Sequence, residues 1–147
     1  MTKKKQFTGR TKARKRAVEV LFEAQIKGRD TYEGLMELAS MRSHEAVAQT
    51  PIPAYARTIV EGIAIHLDRI DSALANYSQG WDLDRMPGVD LAVLRIGVWE
   101  ILYNDEVDAP IAIDEAVTLV RALSTDDSPN FVNGLLGRIA DLADSLR

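Results

Sequence analysis

Arg10, Lys12 and Arg14, followed by Lys15 and Arg16, form a cationic run that passes directly into an amphipathic stretch. Helical spacing sets Arg10 one turn from Arg14 and Lys12 one turn from Arg16. Like charges so placed, at the positive end of a helix dipole, cost local stability, a cost that a docked anion offsets. Lysines and arginines fixed on one surface bind phosphate by releasing its counterions. A solubilising tail is the plain alternative, but the run continues into a helix instead of fading into a loop. No helix-turn-helix pattern accompanies it, and an acidic body would sit against a DNA duplex. Single-stranded RNA, which needs a small positive groove and an aromatic for stacking, fits better. Phe131, beside Asn130 at the start of the last expected helix, could supply the stacking, although its helical phase with Leu135 points to the core.

Other chemistry is looked for and not found. There is no cysteine, which excludes thiolate catalysis and disulfides and fits a cytoplasmic address. The only histidines, His44 and His66, lack a second ligand at helical spacing, so no metal site is expected. The pairs Asp114/Glu115 and Asp126/Asp127 read as charges at helix starts and not as acid–base dyads. No glycine-rich phosphate loop or nucleophile elbow is present, and no cofactor is expected. The chain reads as a binding module, not an enzyme.

The net charge of −4 conceals a segregation. Of 18 lysines and arginines, eight lie in residues 1–16 without an acid among them, and the other ten share the rest of the chain with all 22 acids. A basic head on an acidic body suggests two partners of opposite sign, each on its own surface. The apolar runs are too short to span a membrane. No apolar stretch backs the N-terminal charges, so a secretory signal is not expected. At 147 residues the chain makes one domain, or two small lobes sharing a core.

The elements that must position these residues centre on Pro87–Asn104. Between Asp90 and Tyr103 only Asp90, Arg95, Gly97 and Glu100 are not apolar, and the three charges point in three directions on a helix. Such a segment belongs in an interior. Arg95 has no acid one turn away, so its acceptor must come from another helix, with Asp114 or Glu115 as candidates. Before it, the sequence predicts a basic arm over residues 1–9, a helix from Arg10 to Lys27 ended by Gly28, and a short capped helix from Asp30 to Met41. A loop over 42–53 then leads to an amphipathic run from Tyr55 to Tyr77, as one helix or two broken near Gly62–His66. After it come helices from Pro110 to Leu123 and from Ser128 onward, the latter capped by Ser128 and burying Leu142, with Gly134 and Gly137 leaving room for a neighbour. No strand-like alternation rises above noise, so the fold class is all-α.

Several stretches together resemble the transcription antitermination factor NusB family. They are Val89–Ile96 with Trp99–Leu102, Pro110–Val117, Asp127–Gly134 and Arg10–Arg14, in the family's order and spacing. The resemblance implies two perpendicular three-helix lobes, roughly 10–78 and 79–147, and no enzyme activity. It implies pairing with NusE, which is also a small-subunit ribosomal protein. The pair would bind the boxA element of nascent ribosomal RNA and join an RNA polymerase antitermination complex. Carried over by position, Arg10, Lys12, Arg14, Asp127, Asn130 and Phe131 fall on the RNA side, and Phe22, Asp84 and Asp90 on the NusE side. Thr11 stands where an arginine is common in the family, and Asp84 and Asp90 where glutamates are, so Lys3–Lys5 are expected to compensate in RNA binding. Two alternatives remain: the RNA-binding domain of some ribosomal RNA cytosine methyltransferases, which continue into a cofactor-binding domain where this sequence ends at Arg147, and a helical scaffold that only dimerises.

Overall fold

The computed structural model describes residues 9–44, 50–80 and 82–147. The greater part of the expected basic arm, with Lys3–Lys5, lies outside the described residues, as do 45–49 of the expected loop. Gly9, assigned above to the arm, opens the first helix. The elements are α1 (Gly9–Ile26), α2 (Tyr32–Arg42), α3 (Ala54–Ile65), α4 (Leu67–Tyr77), a single 3-10 turn (Leu83–Arg85), α5 (Gly88–Tyr103), α6 (Ala109–Leu123), α7 (Ser128–Asp141) and α8 (Ala143–Leu146). Among the described residues there is no strand, as the all-α reading requires.

Local chemistry sets most boundaries. Gly28 takes φ +65° and ends α1 in the left-handed conformation that glycine adopts freely. Thr31 caps α2, its hydroxyl accepting from the Gly34 amide at 3.1 Å. The Tyr55–Tyr77 run is two helices broken at His66, whose ring stacks on Tyr103 with centroids 3.7 Å apart. The last segment is shorter than expected. It breaks at Leu142, which is 39% exposed instead of buried.

Helices α1, α2 and α3 pack on one another, as do α5, α6 and α7, and α5 also meets α1, α3 and α4. Every residue of α5 from Asp90 to Leu102 is buried, so it is the shared interior element. Its glycine is a close-approach site: a Cβ on Gly97 would lie 2.6 Å from Leu136 Cδ1. Gly62 of α3 is tighter still, with Trp99 Nε1 2.2 Å from the position of a Cβ. Gly134 and Gly137 do not play this part: a Cβ on Gly134 would meet only Arg138 Nη1, at 3.5 Å, and nothing lies within 4 Å of one built on Gly137.

Arg95 is buried and paired, but not with Asp114 or Glu115. Its Nε and Nη2 donate to the two oxygens of Asp71 at 2.9 and 2.8 Å, and Nη1 donates to Asp30 at 3.0 Å and Gln25 at 3.2 Å. The expectation failed because the direction of Arg95 around α5 points to α1 and α4, whereas α6 lies past Glu100. Burial alone would lower the Arg95 pKa, but the hydrogen bonds and charges of Asp71 and Asp30 outweigh it and the net direction is upward. Replacing Arg95 by methionine leaves two carboxylates facing an apolar helix. Urea unfolding is expected to show a loss of about 3–5 kcal/mol; a loss below about 1 kcal/mol would mean that the pair is not holding α4 to α5.

Candidate nucleic-acid interface

The cationic start of α1 divides by depth. Arg10 is half-exposed and Lys12 exposed, and among the described residues Lys12 pairs with no acid. Arg14, one turn on, is 3% exposed and points into the protein. Its Nε donates to both oxygens of Glu100 at 3.1 and 3.0 Å, and its Nη1 to Glu115 at 2.9 Å. Thr11 is also buried, its hydroxyl donating to Glu115 at 2.6 Å. One face of the helix start is therefore turned inside, and Arg14 does not present its charge to a partner. Sequence periodicity could have flagged this: Arg14 lies in the stripe of Ala13, Ala17 and Leu21, all buried.

Tyr55 completes the cluster. Its hydroxyl donates a short hydrogen bond to Glu100 and accepts from Asn104 Nδ2 at 3.1 Å. The guanidinium carbon of Arg10 lies 3.9 Å from the Tyr55 ring centroid. Nothing in the sequence pattern marked Tyr55 as more than a core-facing residue of an amphipathic helix.

The second group of expected residues sits at the other end of α5. Helices α1 and α5 run antiparallel: Arg14 meets Glu100, and Gln25 Nε2 donates to the Gly88 carbonyl at 2.8 Å. The start of α7 packs near the start of α5, where the Ser128 hydroxyl donates to Asp90 Oδ2 at 2.7 Å. Ser128 is thus not a helix cap, and its hydroxyl is drawn inward by a buried carboxylate. Asp127 and Asn130 are exposed, and Phe131 is half-buried against the core, on the wall of a cavity of about 260 Å³ shared with Pro87, Asp90, Thr125 and Ser128. Ten residues of α5 separate Asp90 from Glu100, about 15 Å at the helical rise. Arg10 and Lys12 therefore do not form one cluster with Asp127, Asn130 and Phe131.

Of the residues expected to meet a protein partner, Asp84 is exposed on the 3-10 turn and Phe22 is half-buried. Phe22 lies against Gly88, where a Cβ would come within 2.6 Å of its ring. Asp90 is only 2% exposed and committed to Ser128, so it offers no surface for a partner. Its place within the first turn of a buried helix is the physical reason. Among the described residues no group of three or more His, Cys, Asp or Glu is placed to hold a metal, and no helix is long and apolar enough to cross a membrane.

Burial and the Glu100 hydrogen bond push the Tyr55 phenol up to about 12. Because the folded value is the higher one, the contribution of Tyr55 to stability is fully present below the ordinary tyrosine pKa of about 10 and is lost as pH rises through the folded value. An ultraviolet phenolate titration is expected to show a late component that Tyr55→Phe removes. Four tyrosines ionising together would contradict this hydrogen-bonded cluster.

The whole arrangement has counterparts among known proteins. The chain is 51% identical over 145 residues to the transcription antitermination protein NusB of Beutenbergia cavernae, covering 96% of this chain and 95% of that protein. A solved NusB of T. maritima superposes with a TM-score of 0.74 at 30% identity, over 92% of this chain and 93% of that one. A chain in the crystal structure of antitermination factors NusB and NusE in complex with dsRNA gives a TM-score of 0.70 at 25% identity, over 90% of this chain and 96% of that one. The model of the NusB family matches residues 11–141. On this match, which spans nearly the full length, the chain belongs to the NusB family.

Proposed function

We propose that this chain is a non-enzymatic, RNA-binding transcription antitermination factor that pairs with NusE to bind boxA RNA in nascent ribosomal transcripts. The observation that carries the reading is its likeness, over nearly its whole length, to a chain solved together with NusE and RNA. The charge distribution supports it. Arg10 and Lys12 are presented on the surface at the start of α1, and Asp84 stands exposed on the turn before α5. A basic ribosomal protein and an RNA strand would approach such surfaces along different fields.

In this reading Arg10 and Lys12 contact phosphates. Asp127, Asn130 and Phe131 form a second RNA contact at the start of α7, and a strand of several nucleotides spans the two. Phe22 and Asp84 meet NusE. Arg14 and Asp90 act from inside, fixing α1 and α7 to α5. The chain acts as one domain whose lobes, roughly 10–78 and 79–147, meet at α5, in the cytoplasm where transcription takes place. Self-association is the alternative outcome.

A gel shift of boxA-type RNA against a scrambled control, with and without NusE, tests the reading as a whole. Replacing Arg10 and Lys12 together by alanine is expected to weaken binding and flatten the log–log salt dependence by ~0.7 for each phosphate no longer neutralised, with the melting temperature unchanged. Unchanged affinity and slope would exclude this surface. Asp84→Lys is expected to weaken NusE capture while RNA-free stability stays as it was; equal capture would place the partner face elsewhere.

A further inference from the structure

Arg10 is held in a way that its role as a phosphate contact does not by itself require. Its guanidinium lies over the face of Tyr55, 3.9 Å from the ring centroid, while the ring is fixed from the opposite end. The Tyr55 hydroxyl is bound by buried Glu100 and by Asn104, and Trp99 packs beside the ring at 6.4 Å between centroids. Asn104 does a second job: its Oδ1 accepts from the Glu106 amide at 3.1 Å, placing Glu106 next to the same arginine. The Glu106 carboxylate stands 3.7 Å from Arg10 Nη2, with its side chain 77% exposed.

These contacts have different consequences for ligand binding. A guanidinium held over a ring leaves its planar fork of N–H groups free to bond two phosphate oxygens at once. Stacking also removes the rotational freedom that a long side chain otherwise loses on binding. The Glu106 pair is longer than a hydrogen bond and open to solvent, the kind of ion pair that contributes little. A phosphate, which accepts two parallel hydrogen bonds, displaces it readily.

We infer that Tyr55 is a positioning residue for RNA binding, holding the Arg10 guanidinium over its ring for a backbone phosphate, and that Glu106 is the placeholder anion which this phosphate displaces. The inference rests on the RNA-binding reading above and adds to it a preformed contact and an internal competitor.

The experiment is fluorescence anisotropy of a single-stranded boxA-type RNA with the full chain across a salt series. It compares the unsubstituted chain with Tyr55→Leu, Tyr55→Phe, Arg10→Ala, Arg10→Ala/Tyr55→Leu and Glu106→Gln. Tyr55→Leu is expected to weaken binding about two- to fivefold, the scale of an exposed cation–π contact, and to reduce the salt slope by up to ~0.7. Tyr55→Phe keeps the ring and restores both. In the Arg10→Ala background Tyr55→Leu has no further effect, which a merely structural tyrosine would not produce. Glu106→Gln, on an exposed turn and independent of any folding defect in Tyr55→Leu, is expected to tighten binding about twofold through removal of the competing charge, and only while Arg10 is present. Equal losses from Tyr55→Leu with and without Arg10, or unchanged binding in Glu106→Gln, would overturn the inference alone. No binding by the unsubstituted chain would overturn the RNA reading and this inference with it.

Discussion

A charged group inside an apolar helix must draw its partners from elsewhere in the chain, and α5 does this three times, twice with a counter-charge and once with a hydroxyl. Asp90 receives Ser128 from α7. Arg95 collects Asp71 from α4, Asp30 from the turn before α2 and Gln25 from α1. Glu100 takes Arg14 from α1 and Tyr55 from α3. Each bond is directional, and together they join α5 to α1, α3, α4 and α7, so the helix that supplies the interior also sets how its neighbours are arranged. Non-directional burial of leucines would favour contact without fixing rotation; buried ion pairs penalise every arrangement that leaves a charge alone.

The Glu100 cluster has the larger consequence for function. By drawing Arg14 inward, it fixes the rotation of α1 about its own axis. That rotation decides which basic side chains remain outside: Arg10 at one edge and Lys12 on the far face, with Thr11 turned in toward Glu115. Burial pushes the Glu100 carboxyl up, and the Tyr55 and Arg14 hydrogen bonds pull it back toward ionisation. The same groups thus hold the helix and orient the surface arginine above it. At the other end of α5, Asp90 fixes the start of α7 in the same manner, beneath exposed Asp127 and Asn130.

Much of this is legible in the chain. The apolar span of α5 marks an interior helix, the break at Gly28 and the all-α class follow from pattern, and the charge split between residues 1–16 and the rest is plain by inspection. Partner choice is not. Three charges pointing in three directions say that three acceptors or donors exist, but not which helix stands at each, since that depends on packing angles absent from a linear pattern. Hence the sequence directs Arg95 to α6, while its partners lie on α4 and before α2. Arg14 is directed to the surface by the cationic run it belongs to and Asp90 by its position in the family alone, although each falls in an apolar stripe that argues otherwise. Tyr55 carries no signal of its own; its role arises only where α1, α3 and α5 meet.

The Arg14–Glu100 pair sets the position of α1, and a double-mutant cycle tests this most directly. Arg14→Met, Glu100→Leu and the double substitution would be compared by denaturant unfolding. Arg14→Met, which leaves buried Glu100 without a cation, is expected to cost about 3–5 kcal/mol; Glu100→Leu, which leaves Arg14 its Glu115 partner, costs less, and the double change costs less than the sum of the two. Losses that simply add would show the two residues to be independent, and α1 would then be held by packing alone.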